Sequence, residues 1–281
     1  MKEMHKVKVI CPLAYFEISR DLRKEIGQGI ELIENVRLRR ISKEEIKEVR
    51  KRKIRDMVPR VFSKFTSRSI VVEISNIEDD PESEEWERKV NNILLALRLF
   101  KANQIFIRVT WFENSETQCV SWSDASVPFL VTERYSLEKK EIADLRELVK
   151  RVDAIDFDKD TSLRIVCERF GRSYEKEDWD EIIIDLMIAF EALFLRGTNP
   201  NLNLSHTGLF IGLGCSMLVG MNNEERKNIG EFIVEAYKKR NKIVHGSDFK
   251  TSFHVDSRVY EIEDFVVKLR DYLRQSMKKL I

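Results

Sequence analysis

Hydrophobic positions change their period partway along the chain. In the first half, short β-rich runs occur at residues 6–10, 69–75, 105–112, 117–122 and 127–132. The clearest is 105–112, where Ile105, Ile107, Val109 and Trp111 alternate and predict one buried face of a strand. Two helices are predicted among these strands. One opens with Ser42-Lys43-Glu44-Glu45, a capping box in which Ser and Glu satisfy orphan backbone donors reciprocally. The other, 84–101, sets Trp86, Val90, Ile93, Leu94 and Leu97 along one stripe. A third helix is expected to follow Ser136 and run to about Val152.

From Asp160 the period-two signal stops. Helical patterns follow at 161–173, 178–195, 205–218, 223–244 and 257–279. They are separated by Gly171, the turn-rich 197–201, Gly220, and Gly246-Ser247-Asp248. Five helices joined by short loops predict a bundle. The expected fold class is therefore α+β: a mixed α/β region over 1–155 and an all-α bundle over 156–281. The boundary falls within 153–159, with no Gly/Pro-rich linker to mark it.

Composition narrows the function classes. Among 281 residues 35% are charged, yet the net charge is only +1, so no global field draws the chain to nucleic acid or an anionic membrane. Locally the balance fails: between Arg37 and Arg68 thirteen Lys/Arg face four acids. Within this stretch Arg50, Lys51, Arg52 and Lys53 are candidate contacts to RNA phosphates, although a solvated helix face is the commoner explanation of such a run. Cys11, Cys119, Cys167 and Cys215 are scattered, without CxxC pairs or His at ligand spacing, so no metal site is expected. The longest apolar run, around 209–221, is too short to span a bilayer. With no apolar signal segment at the start, a cytoplasmic chain without membrane association is expected. There is no GxxxxGK[ST] loop, and Gly212-Leu213-Gly214 follows no strand, so no nucleotide or other cofactor is expected.

One segment carries chemistry. Tyr237-Lys238-Lys239-Arg240-Asn241-Lys242-Ile243-Val244-His245-Gly246 ends the fourth bundle helix. Gly246 suits the left-handed position after a helix, which puts His245 in the last turn. Asn241 and His245 are four residues apart and share a face with Tyr237, while Arg240 lies one step around. An imidazole can move protons near neutral pH. A guanidinium can grip phosphate oxygens at two points and stabilise the charge of a phosphorane. Without a metal, the nucleophile would be the RNA 2′-hydroxyl, leaving cyclic-phosphate ends and sparing DNA.

The run Ile182-Ile183-Ile184-Asp185-Leu186-Met187-Ile188-Ala189-Phe190-Glu191-Ala192-Leu193-Phe194-Leu195 resembles the second core helix of the Apea-like HEPN group. The Tyr237…Arg240-Asn241…His245-Gly246 segment is similar to that group's RxxxxH helix, with Leu204-Ser205-His206-Thr207-Gly208-Leu209 where its third helix begins. The resemblance spans about 161–279. It implies a homodimeric bundle whose two RxxxxH helices meet in an RNA-cleaving cleft, with Arg240 and His245 catalytic, Asn241 the polar residue after the Arg, and Glu191 a supporting acid. The sequence departs from the pattern at Ser205-His206-Thr207-Gly208, which lacks the expected Arg. A defence or toxin effector, with an antitoxin or system partner, fits the group. A non-catalytic dimerisation scaffold that binds RNA or protein is the alternative, and a nucleotidyltransferase accessory a remoter one.

Other residues have plainer readings. Gly208 and Gly212 form a GxxxG suited to close helix packing, His206 and His254 read as cap or surface histidines, and Trp111 reads as sheet core rather than a base-stacking platform.

Overall fold

A computed structural model describes residues 6–51, 69–78, 84–102, 105–107, 109–113, 120–122, 135–197, 206–246, 252–255 and 258–281. The fold is α+β, with an antiparallel sheet region followed by a helical one. It divides into two compact units, and the described residues up to Ala154 form one, those from Ile155 the other.

In the first unit β1 (Lys6–Ala14) is the hub. It pairs antiparallel with β5 (Ile70–Glu78), β6 (Phe106–Ile107) and β7 (Val109–Glu113). The sheet continues outward through β4 (Val36–Arg40) and β3 (Ile30–Ile33) on one side and β8 (Val120–Trp122) on the other. A separate parallel pair joins β2 (Phe16–Ile18) to β9 (Tyr135–Leu137). Val9, Ile10, Cys11 and Val71, Val72 are fully buried although neighbours point to opposite faces, so the sheet centre is covered on both sides.

This double coverage corrects the alternating 105–112 strand. It is two pieces, β6 and β7, and both Trp111 and Phe112 are buried while Ile107 is half-exposed. Strands β2, β3, β4 and β9 were not expected, being too short or too charged to show a pattern. The run 127–132 lies outside the described residues.

The helices α1 (Arg23–Gln28), α2 (Lys43–Lys51), α3 (Glu84–Phe100) and α4 (Ile142–Asp153) complete the unit. The capping box forms as expected: Ser42 Oγ accepts from the Glu45 amide at 3.0 Å, and the Glu45 carboxylate accepts from the Ser42 amide at 2.6 Å. The expected stripe of α3 is buried, with Trp86 meeting the Phe112 ring edge-on at 5.3 Å. Each such apolar side chain contributes roughly 1.5–3 kcal/mol.

In the second unit five helices follow: α5 (Thr161–Arg172), α6 (Trp179–Phe194), α7 (Thr207–Val219), α8 (Asn223–Val244) and α9 (Ile262–Leu280). Ile229, Phe232, Ile233 and Ala236 form the buried stripe of α8, and Phe265, Val266, Leu269, Leu273 and Met277 that of α9, both at helical spacing. Phe232 stacks on Phe265 at 4.7 Å between ring centres. Glycines let α7 and α8 touch: a Cβ at Gly212 would sit 2.9 Å from the Gly230 carbonyl oxygen. The expectation that strands cease after Asp160 is corrected by a hairpin, β10 (Ser252–Val255) with β11 (Arg258–Glu261). The last helix accordingly begins at Ile262 rather than 257. The β-favouring Phe253, Val255, Val259 and Tyr260 explain the hairpin. No helix among the described residues is long and apolar enough to cross a membrane.

Candidate active site at the end of the motif helix

The site is organised by α8. Asn222 caps its start, its side chain accepting from the Glu225 amide at 2.9 Å, and the helix then runs without a break to Val244. At its end His245 is the capping residue, its amide donating to the Asn241 carbonyl at 3.0 Å, and Gly246 takes φ +70° as the sequence led us to expect. No Cβ contact constrains Gly246, so its role is conformational. The His245 imidazole is exposed and has no hydrogen bond to a described group.

Arg240 is held more closely. Its Nη1 donates to Asn241 Oδ1 at 3.1 Å, its Nη2 lies 3.7 Å from Glu191 Oε1 on α6, and its guanidinium carbon is 6.0 Å from the centre of the Tyr237 ring. Nε is shielded from solvent and has no hydrogen-bond partner among the described residues. The cation is thus anchored on one side by an acid and an amide, with donor capacity left over. Glu191 responds to its half-buried setting: desolvation pushes its carboxyl above the ordinary value, and the Arg240 charge only partly offsets this. At 3.7 Å the ion pair is loose, in keeping with the net rise.

Tyr237 sits lower on α8 and faces α7. A Cβ at Gly208 would come within 2.9 Å of its ring, so the glycine makes room for the aromatic. Tyr237, a candidate RNA contact on the Asn241–His245 face, packs against the Gly208 position and lies half-buried beside Arg240. Four of the expected residues, Arg240, Asn241, Glu191 and Tyr237, therefore come together. His245 stands apart at the helix end, with no described contact to the guanidinium.

Arg50 and Lys51 end α2, in the other unit, and their side chains are not described; Arg52 and Lys53 lie outside the described residues. Trp111 and Phe112 are buried, so neither offers a face to a base. His254 falls in β10 and its side chain is not described. Among the described residues no group of three or more His, Cys, Asp or Glu is placed to hold a metal ion.

Two features had no sequence signal. The outer face of α7 exposes Leu209, Phe210, Leu213 and Met217, each by about half its area. Beside it lies an open groove of about 510 Å³, floored by Gly212 and Gly230 and rimmed by Lys227, Glu231 and Lys238. The other is Asp185 on α6, buried and bound to Arg169 of α5 at 2.6 Å. No protein-family model, curated protein or solved structure matches this chain.

Proposed function

We propose that the chain is a metal-independent endoribonuclease of the HEPN type, in which Arg240 binds the scissile phosphate and His245 transfers protons. The single observation that supports this most is the state of Arg240. A guanidinium oriented by Asn241 and Glu191, partly open to solvent and with donors that no described group engages, suits a phosphate and lies five residues along α8 from an exposed imidazole. In the reaction the 2′-oxygen attacks phosphorus as its proton leaves. The bond from phosphorus to the 5′-oxygen then breaks, and that oxygen takes up a proton. The products are a 2′,3′-cyclic phosphate and a 5′-hydroxyl. Arg240 stabilises the added charge, and Glu191 and Asn241 orient it.

In this reading the enzyme acts in the cytoplasm, as an effector of a defence system or a toxin with its antitoxin, and its RxxxxH helices work as a pair. The apolar outer face of α7 supports pairing with a second copy, because a helix apolar on all sides is normally buried. The same face favours the rival, a non-catalytic dimerisation scaffold, in which the Arg240–Glu191 pair serves only packing. Incubating total RNA in EDTA with the wild type and His245→Ala separates them. The ribonuclease reading expects cleavage by the wild type and a loss of roughly 10²–10⁴-fold in the variant. No cleavage by either protein favours the scaffold.

A further inference from the structure

We infer, independently of the ribonuclease reading, that the β10–β11 hairpin is a detachable strap across α8 and α9, and that Lys268 is the clasp that holds it down. A two-stranded hairpin is at best marginally stable alone, so its place depends on what it packs against. This one packs against α8 and α9. Of its side chains that are described, Val259 and Glu261 are exposed, while Tyr260 is half-buried and set against Phe232 of α8.

Tyr260 is tied to the bundle through a cation. Lys268 Nζ, on α9, donates to Tyr260 Oη at 3.0 Å and stands 5.0 Å from the centre of that ring. It also lies 5.4 Å from the Phe232 ring and 5.7 Å from the ring of Tyr272, one turn further along α9. Phe232 takes the Tyr260 and Tyr272 rings edge-on, each at 5.5 Å. Three elements thus give one ring each to a cage, and the ammonium fills it. A cation over ring faces is attracted by their negative quadrupole, the more so as water is excluded.

The way this ammonium is held sets it apart. Lys176, Lys227 and Lys239 of the same unit each have a glutamate partner. Among the described residues no carboxylate pairs with Lys268, which is held by rings and a phenol. Removing its charge therefore cancels the hydrogen bond to the hairpin and the attraction to all three rings together. The helix contact beneath, Phe232 stacked on Phe265, remains. That combination makes the hairpin the first part of this unit to open. Opening bares the otherwise buried Phe232 on the side that Tyr260 covers. In sequence the strap lies between the motif helix and α9. Its release makes α9, from Ile262, rather than β10, from Ser252, the next packed element after Gly246.

Hydrogen exchange followed by mass spectrometry on the full chain tests this. In the wild type the amides of β10 and β11 should exchange through an opening that leaves α6 and α8 protected. Lys268→Met keeps the apolar stem without the charge, and should speed hairpin exchange on the order of tenfold with α6 and α8 unchanged. Lys268→Arg keeps a cation and should match the wild type. Tyr260→Phe keeps the ring without the hydroxyl and should fall between. Wild-type hairpin amides that exchange no faster than those of α8 would overturn the inference. So would a Lys268→Met hairpin that exchanges as the wild type does, or exchange raised equally throughout the unit. These outcomes are read whether or not the chain cuts RNA.

Discussion

Two arginines in this chain, one in each unit, meet glutamates in opposite ways. Arg39 on β4 is saturated: Nε binds Glu73 at 2.5 Å, Nη1 binds Glu45 at 2.8 Å and the Arg40 carbonyl at 3.0 Å, and Nη2 binds Glu45 again. Both carboxylates are nearly inaccessible, and the arginine holds each below the usual carboxylate range despite the opposing cost of burial. Arg240 has one amide bond, one loose acid at 3.7 Å and a shielded Nε without a described partner, and its acid is pushed upward. A saturated guanidinium holds the β4–β5 sheet to α2; the unsaturated one is the cation that the proposed function assigns to phosphate.

The comparison can be broken most severely at Arg39. Arg39→Ala leaves the buried Glu45 and Glu73 without their main partner and should cost about 3 kcal/mol or more of stability, read as a lower urea midpoint. A variant as stable as wild type would mean that the cluster holds nothing. Arg240→Lys should do the reverse. Unfolding should change by less than about 1 kcal/mol, because the pair is loose and partly exposed. RNA cleavage should fall on the order of 10²-fold, because an ammonium cannot grip phosphate at two points.

Gly212→Ala probes the scaffold beneath the site. The added methyl meets a backbone oxygen, which cannot swing aside as a side chain can, so α7 and α8 must separate. A loss of about 1–3 kcal/mol is expected, with part of the cleavage lost as Tyr237 and Arg240 shift. Thermal unfolding unchanged from wild type would show that the hairpin tolerates the wider spacing.

The smallest effect concerns pH, and its sign differs between the acids of the two units. Glu45 and Glu73 have lowered folded values, so their contribution is present above the ordinary carboxylate value and is lost as pH falls through the lowered one. Glu191 has a raised folded value, so the fold binds its proton more tightly than the unfolded chain does. Stability from this group is full below the unfolded value and declines as pH rises through the raised one. Glu191→Gln should abolish that decline, so wild type and variant should diverge in urea midpoint as pH rises from 4 toward 7. Parallel curves would remove Glu191 as a strained acid.

Much of the architecture was legible beforehand, and the exceptions share a physical cause. The bundle helices announced themselves through apolar stripes such as Ile229, Phe232, Ile233 and Ala236, and α8 spans the residues expected of it. Ser42 and Glu45 declared a helix start because both capping partners are local in sequence. Strand β4, Val-Arg-Leu-Arg-Arg, was missed because its arginines look like surface until Glu73, 34 residues away from Arg39, arrives to neutralise them. The hairpin before α9 was missed for a similar reason, since its strands gain their meaning only by pairing with each other. At the candidate site the residues on α8 were readable from spacing. The GxxxG of Gly208 and Gly212 announced close helix packing, but that Tyr237 fills the Gly208 slot and that Glu191 meets Arg240 loosely depend on how α6 and α7 pack, which no local pattern encodes.

The central claim is that cleavage uses the 2′-hydroxyl of RNA and no metal. The most direct measurement incubates the wild-type protein in EDTA with one single-stranded RNA and with its all-2′-deoxy counterpart, and identifies the product ends. The account predicts cleavage of the RNA alone, undiminished by EDTA, with 2′,3′-cyclic phosphate and 5′-hydroxyl ends. Cleavage of the deoxy strand, or 5′-phosphate products that vanish with EDTA, would contradict it.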